Sequence, residues 1–385
     1  MRKMGNYNQT EILYIKFKAK DGQAFINFLK NKLKNTQLIN QRFKILHENE
    51  NILFPIVKDQ TLIDRVTSSV DKKINFELIS KEGIPKENFK YRTLQEALEG
   101  KIPDRYSEVI PKSYDIVGSI AIIEFDKFIN IDDKDFSVYK QMVAKGISNV
   151  NKNVKTVYEK KSQIKGKYRL RELDVLYGEE KSETIHREND CIFKLDVKNT
   201  YFSPRLVFER RRIASTRIQE DEIIVDMFAG IGTFSIQIAK NKNVKIYAFD
   251  INSNAYEYLK ENIYLNKLKG EIFPKNIDIK ELLEPKNHLG QLLRNKANRI
   301  IMNLPESSIE FIDVACYLMK ESGGILHFYQ FSEKPNPIDK SLKNLEEEIT
   351  RHYWEIESII NSKIVKHYSP KSELIVADLK IKASN

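Results

Sequence analysis

The chain has 385 residues, 41% hydrophobic and 31% charged, with a formal net charge of +10; that predicts two or three domains with ample core, argues against disorder, and points to an anionic partner. Cys191 and Cys316 lie far apart and the six histidines are scattered, which speaks against a disulfide framework or a zinc site, so no metal is expected. IVGSIAII at 116–123 is far shorter than the ~17–20 residues of a membrane span, and no apolar h-region follows the basic start MRK, so a cytoplasmic setting without membrane association is expected.

Taken in chain order, EILYIKFK at 11–18 puts Leu13, Ile15 and Phe17 on one face of a strand and lysines on the other. Phe25, Phe28, Leu29 and Leu33 follow at helical spacing, and FKIL and NILFPI around HENE read as a hairpin. This predicts a small β-α-β-β domain over 1–62, with 63–91 as a connection. A second, α+β unit is predicted over 92–200. Thr93 and Glu96 form a capping box with Gly100 as its stop, and SYDIVGSIAIIEF reads as one buried strand. From Lys140 to Arg171 eight Lys and two Arg stand against the single acid Glu159, a net of +9. Such a run is either a solvated lysine face or a track for a nucleic-acid backbone. From residue 201 strands and helices alternate, predicting a doubly wound α/β domain over 201–385, Rossmann-like, with a terminal antiparallel hairpin after Trp354.

DMFAGIGTF at 226–234 lies where the first strand of that domain meets a helix. Gly230 and Gly232 let the backbone pass close to a ligand, and Asp250, twenty residues beyond Gly230, ends the next strand where ribose hydroxyls would need an acceptor. The third glycine of the dinucleotide fingerprint is Ser235 instead. A glycine turn with an acid is shared by NAD enzymes and methyltransferases, and a plain βα turn without a ligand is the bland alternative. Asp226 suits a cationic methionine-like group better than a pyrophosphate. Asn303-Leu304-Pro305 ends strand four at the ligand-binding edge. An ordinary turn would account for that tripeptide alone; with Asp226, Asp250 and the terminal hairpin it favours S-adenosylmethionine over NAD.

The stretch NTYFSPRLVFERRR at 199–212 sets one carboxylate, Glu209, among Arg205, Arg210, Arg211 and Arg212. Ser203-Pro204 opens a helix there, so Arg205 and Arg212 share the face of Glu209. From spacing alone, Glu209 is an ion-pair partner as readily as a base.

The ordered set YRLRELDVLYGEEKSETIHREN, NTYFSPRLVFER, DMFAGIGTFSI, AFDINSNAYEYLKENIYLNKL and IMNLP resembles that of the archaeal and eukaryotic tRNA (guanine-37-N1)-methyltransferases, continuously from about residue 92 to the end and more weakly over 1–62. The resemblance implies a class I methyltransferase fold, with Arg169 as the catalytic arginine, Glu209 as general base, and Asn303 and Pro305 in the loop that contacts guanine. It further places Arg205, Asp226, Phe228, Gly230, Gly232, Asp250, Asp278 and Asn303 around S-adenosylmethionine. Thr233 and Glu306-Ser307-Ser308 depart from the family's usual residues.

Methylating guanine N1 requires removing its proton and stabilising the charge that moves to O6. The resemblance thus implies Glu209 as proton acceptor, Arg169 at O6 with Arg171 as its rival, and Asn303 orienting the base edge. The implied partner is tRNA, through an anticodon loop with a purine at position 37, engaged by a monomer whose N-terminal domain checks tRNA shape. Alternatives are a bifunctional enzyme that also methylates a tricyclic wyosine precursor, an aminocarboxypropyl transferase, and a non-catalytic RNA-binding protein.

Overall fold

A computed structural model of the protein describes residues 11–32, 38–69, 75–103, 106, 109–125 and 133–384. The chain divides into two compact units, residues 1–110 with 128–152 and residues 111–127 with 153–385.

In the first unit, β1 (Glu11–Lys18), β2 (Leu46–Glu48), β3 (Asn51–Pro55) and β4 (Phe76–Glu82) form an antiparallel sheet in the order β2-β3-β1-β4. Ile15 and Phe17 face α1 (Gly22–Lys32) and α2 (Gln60–Ser69), packing with Phe25, Phe54, Ile63 and Val66. The opposite face of β1 is not lysine-lined as its sequence suggests: Ile12 and Tyr14 are buried there against Phe43 and Leu53. Nor is 63–91 a mere connection. It holds the end of α2 and all of β4, which pairs with β1 over seven residues. The weak periodicity of β4 reflects its exposure as an edge strand. The capping box survives in altered form around α3 (Leu94–Leu98): Thr93 Oγ1 accepts from Glu96 N at 3.1 Å, while Glu96 Oε2 accepts from Arg92 N at 2.7 Å. α4 (Asp133–Val150) packs on α3. The predicted helical position Leu33 lies outside the described residues.

The second unit opens with β5 (Asp115–Val117) and β6 (Ile120–Ile123), a tight hairpin where a single strand was expected. Gly118 adopts φ +56 and turns the chain, so the apolar run packs as two short strands. With β7 (Thr156–Lys160) and β8 (Leu173–Tyr177) they make a four-stranded sheet, followed by the hairpin β9 (Glu183–Glu188) and β10 (Cys191–Asp196). α5 (Val207–Ala214) leads into the α/β core: β11 (Ile223–Asp226), α6 (Thr233–Asn241), β12 (Lys245–Phe249), α7 (Ser253–Leu265), β13 (Glu271–Lys275), α8 (His288–Leu293), β14 (Arg299–Met302), α9 (Ile312–Leu318), β15 (Gly324–Glu333), α10 (Pro337–Arg351), β16 (Trp354–His367) and β17 (Ser372–Ala383). The seven strands lie in the order β13-β12-β11-β14-β15-β17-β16, parallel through β15. β17 inserts antiparallel to both β15 and β16, as the closing hairpin predicts. The order reverses between β11 and β14, and ligands bind at such a switch point, at the carboxyl ends of the strands.

Of the arginines around Glu209, one is purely architectural. Arg210 is 2% exposed and grips Glu188 at the end of β9 with both Nε and Nη2, the latter at 2.6 Å from Oε2. Its Nη1 donates to Ser203 O at 3.1 Å, and Gln237 Nε2 from α6 donates to Glu188 Oε1 at 2.7 Å. Burial pushes the Glu188 carboxyl up, but hydrogen bonds from His186 and Arg210 outweigh it, and its titration falls below the ordinary range. Removing one partner of such a pair strands a buried charge. Arg210→Ala should therefore cost about 3–5 kcal/mol in urea unfolding, whereas the exposed neighbour Arg211, changed to Ala, should stay within about 0.5 kcal/mol.

Candidate active site

Two adjoining cavities open at the switch point of the second unit. The smaller, about 270 Å³, lies over the β11–α6 turn. Gly230 takes φ +57 and a Cβ there would meet nothing within 4 Å, so this glycine turns bare backbone toward open space. Gly232, at φ +90, does not line the cavity; a Cβ on it would collide with Leu259 at 2.4 Å. It is needed for packing on α7. Asp250, just past β12, braces the turn: its Oδ2 accepts from Gly230 N at 2.7 Å and its Oδ1 from Asn252 N at 2.8 Å. Burial pushes this carboxyl up, against those two hydrogen bonds. Phe228, stacked edge-to-face on Phe311 at 5.0 Å, and Ile251 and Ile279 give the cavity apolar walls, and Asp278 joins Asp250 as an acid in its lining. A slot with apolar walls, bare backbone and the carboxylates of Asp250, Asp278, Glu306 and Glu310 in its lining fits the adenosine and the cationic end of S-adenosylmethionine.

Asp226 is not in that lining. It is fully buried beneath the turn, where Ser235 Oγ donates to its Oδ2 at 2.7 Å and Oδ1 has no partner. The last residue of β11 points into the first turn of α6, so Ser235 is there to satisfy Asp226. Burial raises this carboxyl to about 7 despite the Ser235 hydrogen bond. The expected contact with a methionine-like group is thus replaced by support from below.

The larger cavity, about 430 Å³, is strongly basic. Lys160, Arg169, Arg171, Arg205 and Lys366 line it, with Asp115 and Glu124 as the acids. Burial lowers the Lys366 ammonium, and the charges of Arg205, Arg169 and Arg171 lower it further, against Asp115. Arg205, expected beside the cofactor, faces this cavity instead, its Nε 2.7 Å from Asp115 Oδ1. Pro305 lines the same side, its carbonyl accepting from Phe331 N at 2.9 Å.

Arg169, Tyr201 and Asn303 line both cavities. Arg169 adopts φ +56 in a turn, a left-handed conformation unusual for arginine. Its guanidinium lies 4.6 Å from the Tyr201 ring centroid and reaches Glu306 Oε1 at 3.4 Å, while Nε is buried without a partner. Arg171, which a strand would have put on the same face, borders only the larger cavity. Asn303 directly follows β14, its Oδ1 buried and without a partner among the described residues.

Glu209 borders neither cavity. It is 4% exposed, and it accepts from Arg212 Nε at 2.9 Å and Tyr329 Oη at 3.3 Å and pairs with Lys363. Arg212 is itself tied to buried Asp378, and Asp378 to His327 at 2.6 Å. In this conformation Glu209 is an ion-paired residue that faces neither cavity. Tyr201, Lys366 and the Tyr368-Ser369-Pro370 turn between β16 and β17 line the site without having been singled out from the sequence. Among the described residues no group of three or more His, Cys, Asp or Glu is placed to hold a metal, and no helix is long and apolar enough to cross a membrane.

The TRM5/TYW2 methyltransferase domain matches residues 184–357, and the TYW2 N-terminal domain matches 94–181. The tRNA (guanine(37)-N(1))-methyltransferase Trm5b of Pyrococcus abyssi is 33% identical over 96% of this chain and 99% of its own length. The chain belongs to the Trm5/TYW2 methyltransferase family. Trm5b of Methanocaldococcus jannaschii is 35% identical over 89% of this chain and 92% of its own. A solved complex of aTrm5 and tRNALeu superposes with a TM-score of 0.67 at 33% identity, covering 96% of this chain and 99% of that one. The α/β core with its closing antiparallel hairpin is therefore the family's class I methyltransferase fold.

Two outcomes follow from the β11–α6 turn. Gly230→Ala meets no protein atom but holds alanine in a left-handed conformation, a strain of about 1–2 kcal/mol, and sets a methyl group in the ligand's space. Calorimetric titration should show weakened S-adenosylmethionine binding with the fold intact. The raised Asp226 value means that the folded chain keeps a proton the unfolded chain has released. Asp226 therefore subtracts stability as pH rises from about 4 towards about 7. In Asp226→Asn this contribution disappears, and the thermal midpoint should vary less with pH across that window than in the parent chain.

Proposed function

We propose that this chain methylates N1 of guanine at position 37 in the anticodon loop of tRNA, using S-adenosylmethionine. The observation that carries the reading is the shared boundary of the two cavities, where Arg169 and Asn303 stand between a cofactor-sized slot and a basic chamber. When bound, the cofactor supplies a sulfonium methyl group for in-line displacement. The chain's own residues must hold the base edge at that boundary and manage one proton and one developing charge.

Arg169 donates to O6, where negative charge accumulates as N1 loses its proton, and Tyr201 holds the guanidinium from below. Asn303, unpartnered at Oδ1, orients the Watson–Crick edge, with Pro305 shaping the chamber beside it. Glu209 takes the N1 proton in this reading, which requires it to leave its cationic partners. Lys363, with its side chain 41% exposed, is the partner most readily drawn off; Arg212 is pinned by Asp378 and Tyr329 is buried. Arg205 and Lys366 add positive charge to the chamber for a backbone phosphate or the deprotonated base. A target in a loop is easily unstacked and can enter such a chamber. The first unit would check tRNA shape, with a single chain acting in the cytoplasm.

The test is methyl transfer from labelled cofactor to unmodified tRNA transcripts carrying G37 or A37, read by nucleoside mass analysis. The expected product is 1-methylguanosine from the G37 transcript alone. Arg169→Ala should lower kcat by roughly 10²–10³, and Glu209→Gln by roughly 10²–10⁴. An aminocarboxypropyl adduct, label only in tricyclic-modified tRNA, or cofactor binding with no transfer to any tRNA would each replace this reading with one of its rivals. Full activity in Glu209→Gln would leave Glu209 an ion-pair residue only.

A further inference from the structure

Taking guanine N1 as the methyl acceptor, as proposed above, we infer that Glu306 is a specificity residue whose carboxylate accepts a hydrogen bond from the exocyclic N2 amino group of the target guanine. The turn that carries it is fixed by its own hydrogen bonds. Ser307 N and Ser308 N donate to Leu304 O at 3.0 and 2.8 Å, and Leu304 N donates to the Ser308 hydroxyl at 3.2 Å. That hydroxyl is fully buried and within reach of Met302 O and Leu304 O. The brace satisfies the turn's backbone and leaves the side chains of Asn303 and Glu306 to line the smaller cavity.

Glu306 is loosely engaged. Among the described residues its one side-chain hydrogen bond is the 3.4 Å contact from Arg169 Nη2, and its side chain is 44% exposed. A carboxylate accepts several hydrogen bonds, so most of its capacity is unused. Beside it, Arg169 Nε is buried without an acceptor and Asn303 Oδ1 without a donor. Buried polar atoms are nearly always paired, so each orphan marks a place where a partner is missing.

The hydrogen-bonding needs of these three groups form a pattern. One guanidinium seeks an acceptor, and two oxygens, on Asn303 and Glu306, seek donors. The Watson–Crick edge of guanine presents an acceptor at O6, a donor at N1 and a donor at N2. Arg169 answers O6. N1 must face the transferable methyl group, so the carboxylate, on the cofactor side of the boundary, is left for N2. Adenine reverses the pattern at positions 6 and 1 and has nothing at position 2, and hypoxanthine differs from guanine only in lacking the 2-amino group. A site built to hydrogen-bond a substrate N–H disfavours the analogue without it, because the acceptor placed for that N–H is then left without its donor. The carboxylate that follows Asn-Leu-Pro thus reads the base.

The experiment compares kcat/KM on tRNA transcripts carrying guanosine or inosine at position 37, for the parent chain, Glu306→Ala and Glu306→Gln. The parent should prefer guanosine. Glu306→Ala should lose about tenfold or more on guanosine, the worth of one hydrogen bond to a charged group, and little on inosine, so that the preference collapses. Glu306→Gln keeps an acceptor oxygen and should retain part of it. Equal losses on both transcripts would mean that Glu306 acts only by holding Arg169, and no loss on either would mean that it acts not at all; both overturn the inference. If the parent chain methylates neither transcript, it is the guanine-N1 reading itself that fails.

Discussion

The buried clamp between Arg210 and Glu188 is the constraint on which the site depends. It ties α5 to the end of β9, and through the Ser203 carbonyl it also fixes the segment leading into that helix. Tyr201 lies in that segment, two residues before the clamped carbonyl, and its ring carries Arg169. Arg169 comes from a turn more than thirty residues upstream and has no regular element to hold it. Its left-handed backbone would cost energy in isolation. The stacked ring on one side and Glu306 on the other hold it, so rigidity built in the core reaches the boundary of the cavities through aromatic contact.

A second ionic system starts at Glu209 of α5. Lys363, Glu209, Arg212, Asp378 and His327 link β16, α5, β17 and β15 in one chain of charges, all but the lysine mostly buried. Burial pulls the His327 imidazole down, opposed by its hydrogen bond to Asp378. Such chains are strong only when every member is satisfied. Removing one charge from the middle would unbalance several, whereas Lys363 at the exposed end can leave with only Glu209 affected. The surroundings of Glu209 are therefore set by the hairpin strands as much as by the arginines beside it in the sequence.

Much of this architecture was legible in the amino-acid order. The alternation from residue 201, the glycine turn and the final hairpin all emerged from periodicity and turn chemistry, because those signals are local. Local signals failed where a neighbour decided the outcome. Ile12 and Tyr14 are buried because Phe43 and Leu53 cover a face the strand alone would give to water. Ser235 looked like a missing glycine and is a hydrogen-bond donor to Asp226. Arg205 sat beside Glu209 on paper but pairs with Asp115, ninety residues away. Asn303, Gly230 and Asp250, singled out through their motif, and Arg169, singled out through the family resemblance, line the cavities. Tyr368, Ser369 and Pro370 were missed because nothing in a Tyr-Ser-Pro turn says which cavity it will border.

The placement of β17 between β15 and β16 has a consequence for how the protein is made. The outer edge of β15 offers a full row of unpaired amides and carbonyls until the last strand arrives to cover it. The larger cavity likewise needs Asp115 from one hairpin and Pro370 from another, some 250 residues later on the ribosome. The lining of the smaller cavity is complete in the chain at Phe311, but the core beneath it is not: Met227, Ile279 and Met302 share one buried cluster with Phe328 of β15 and Ala377 and Leu379 of β17. Both cavities therefore wait on the same late event, and neither is finished until the final hairpin locks into the sheet.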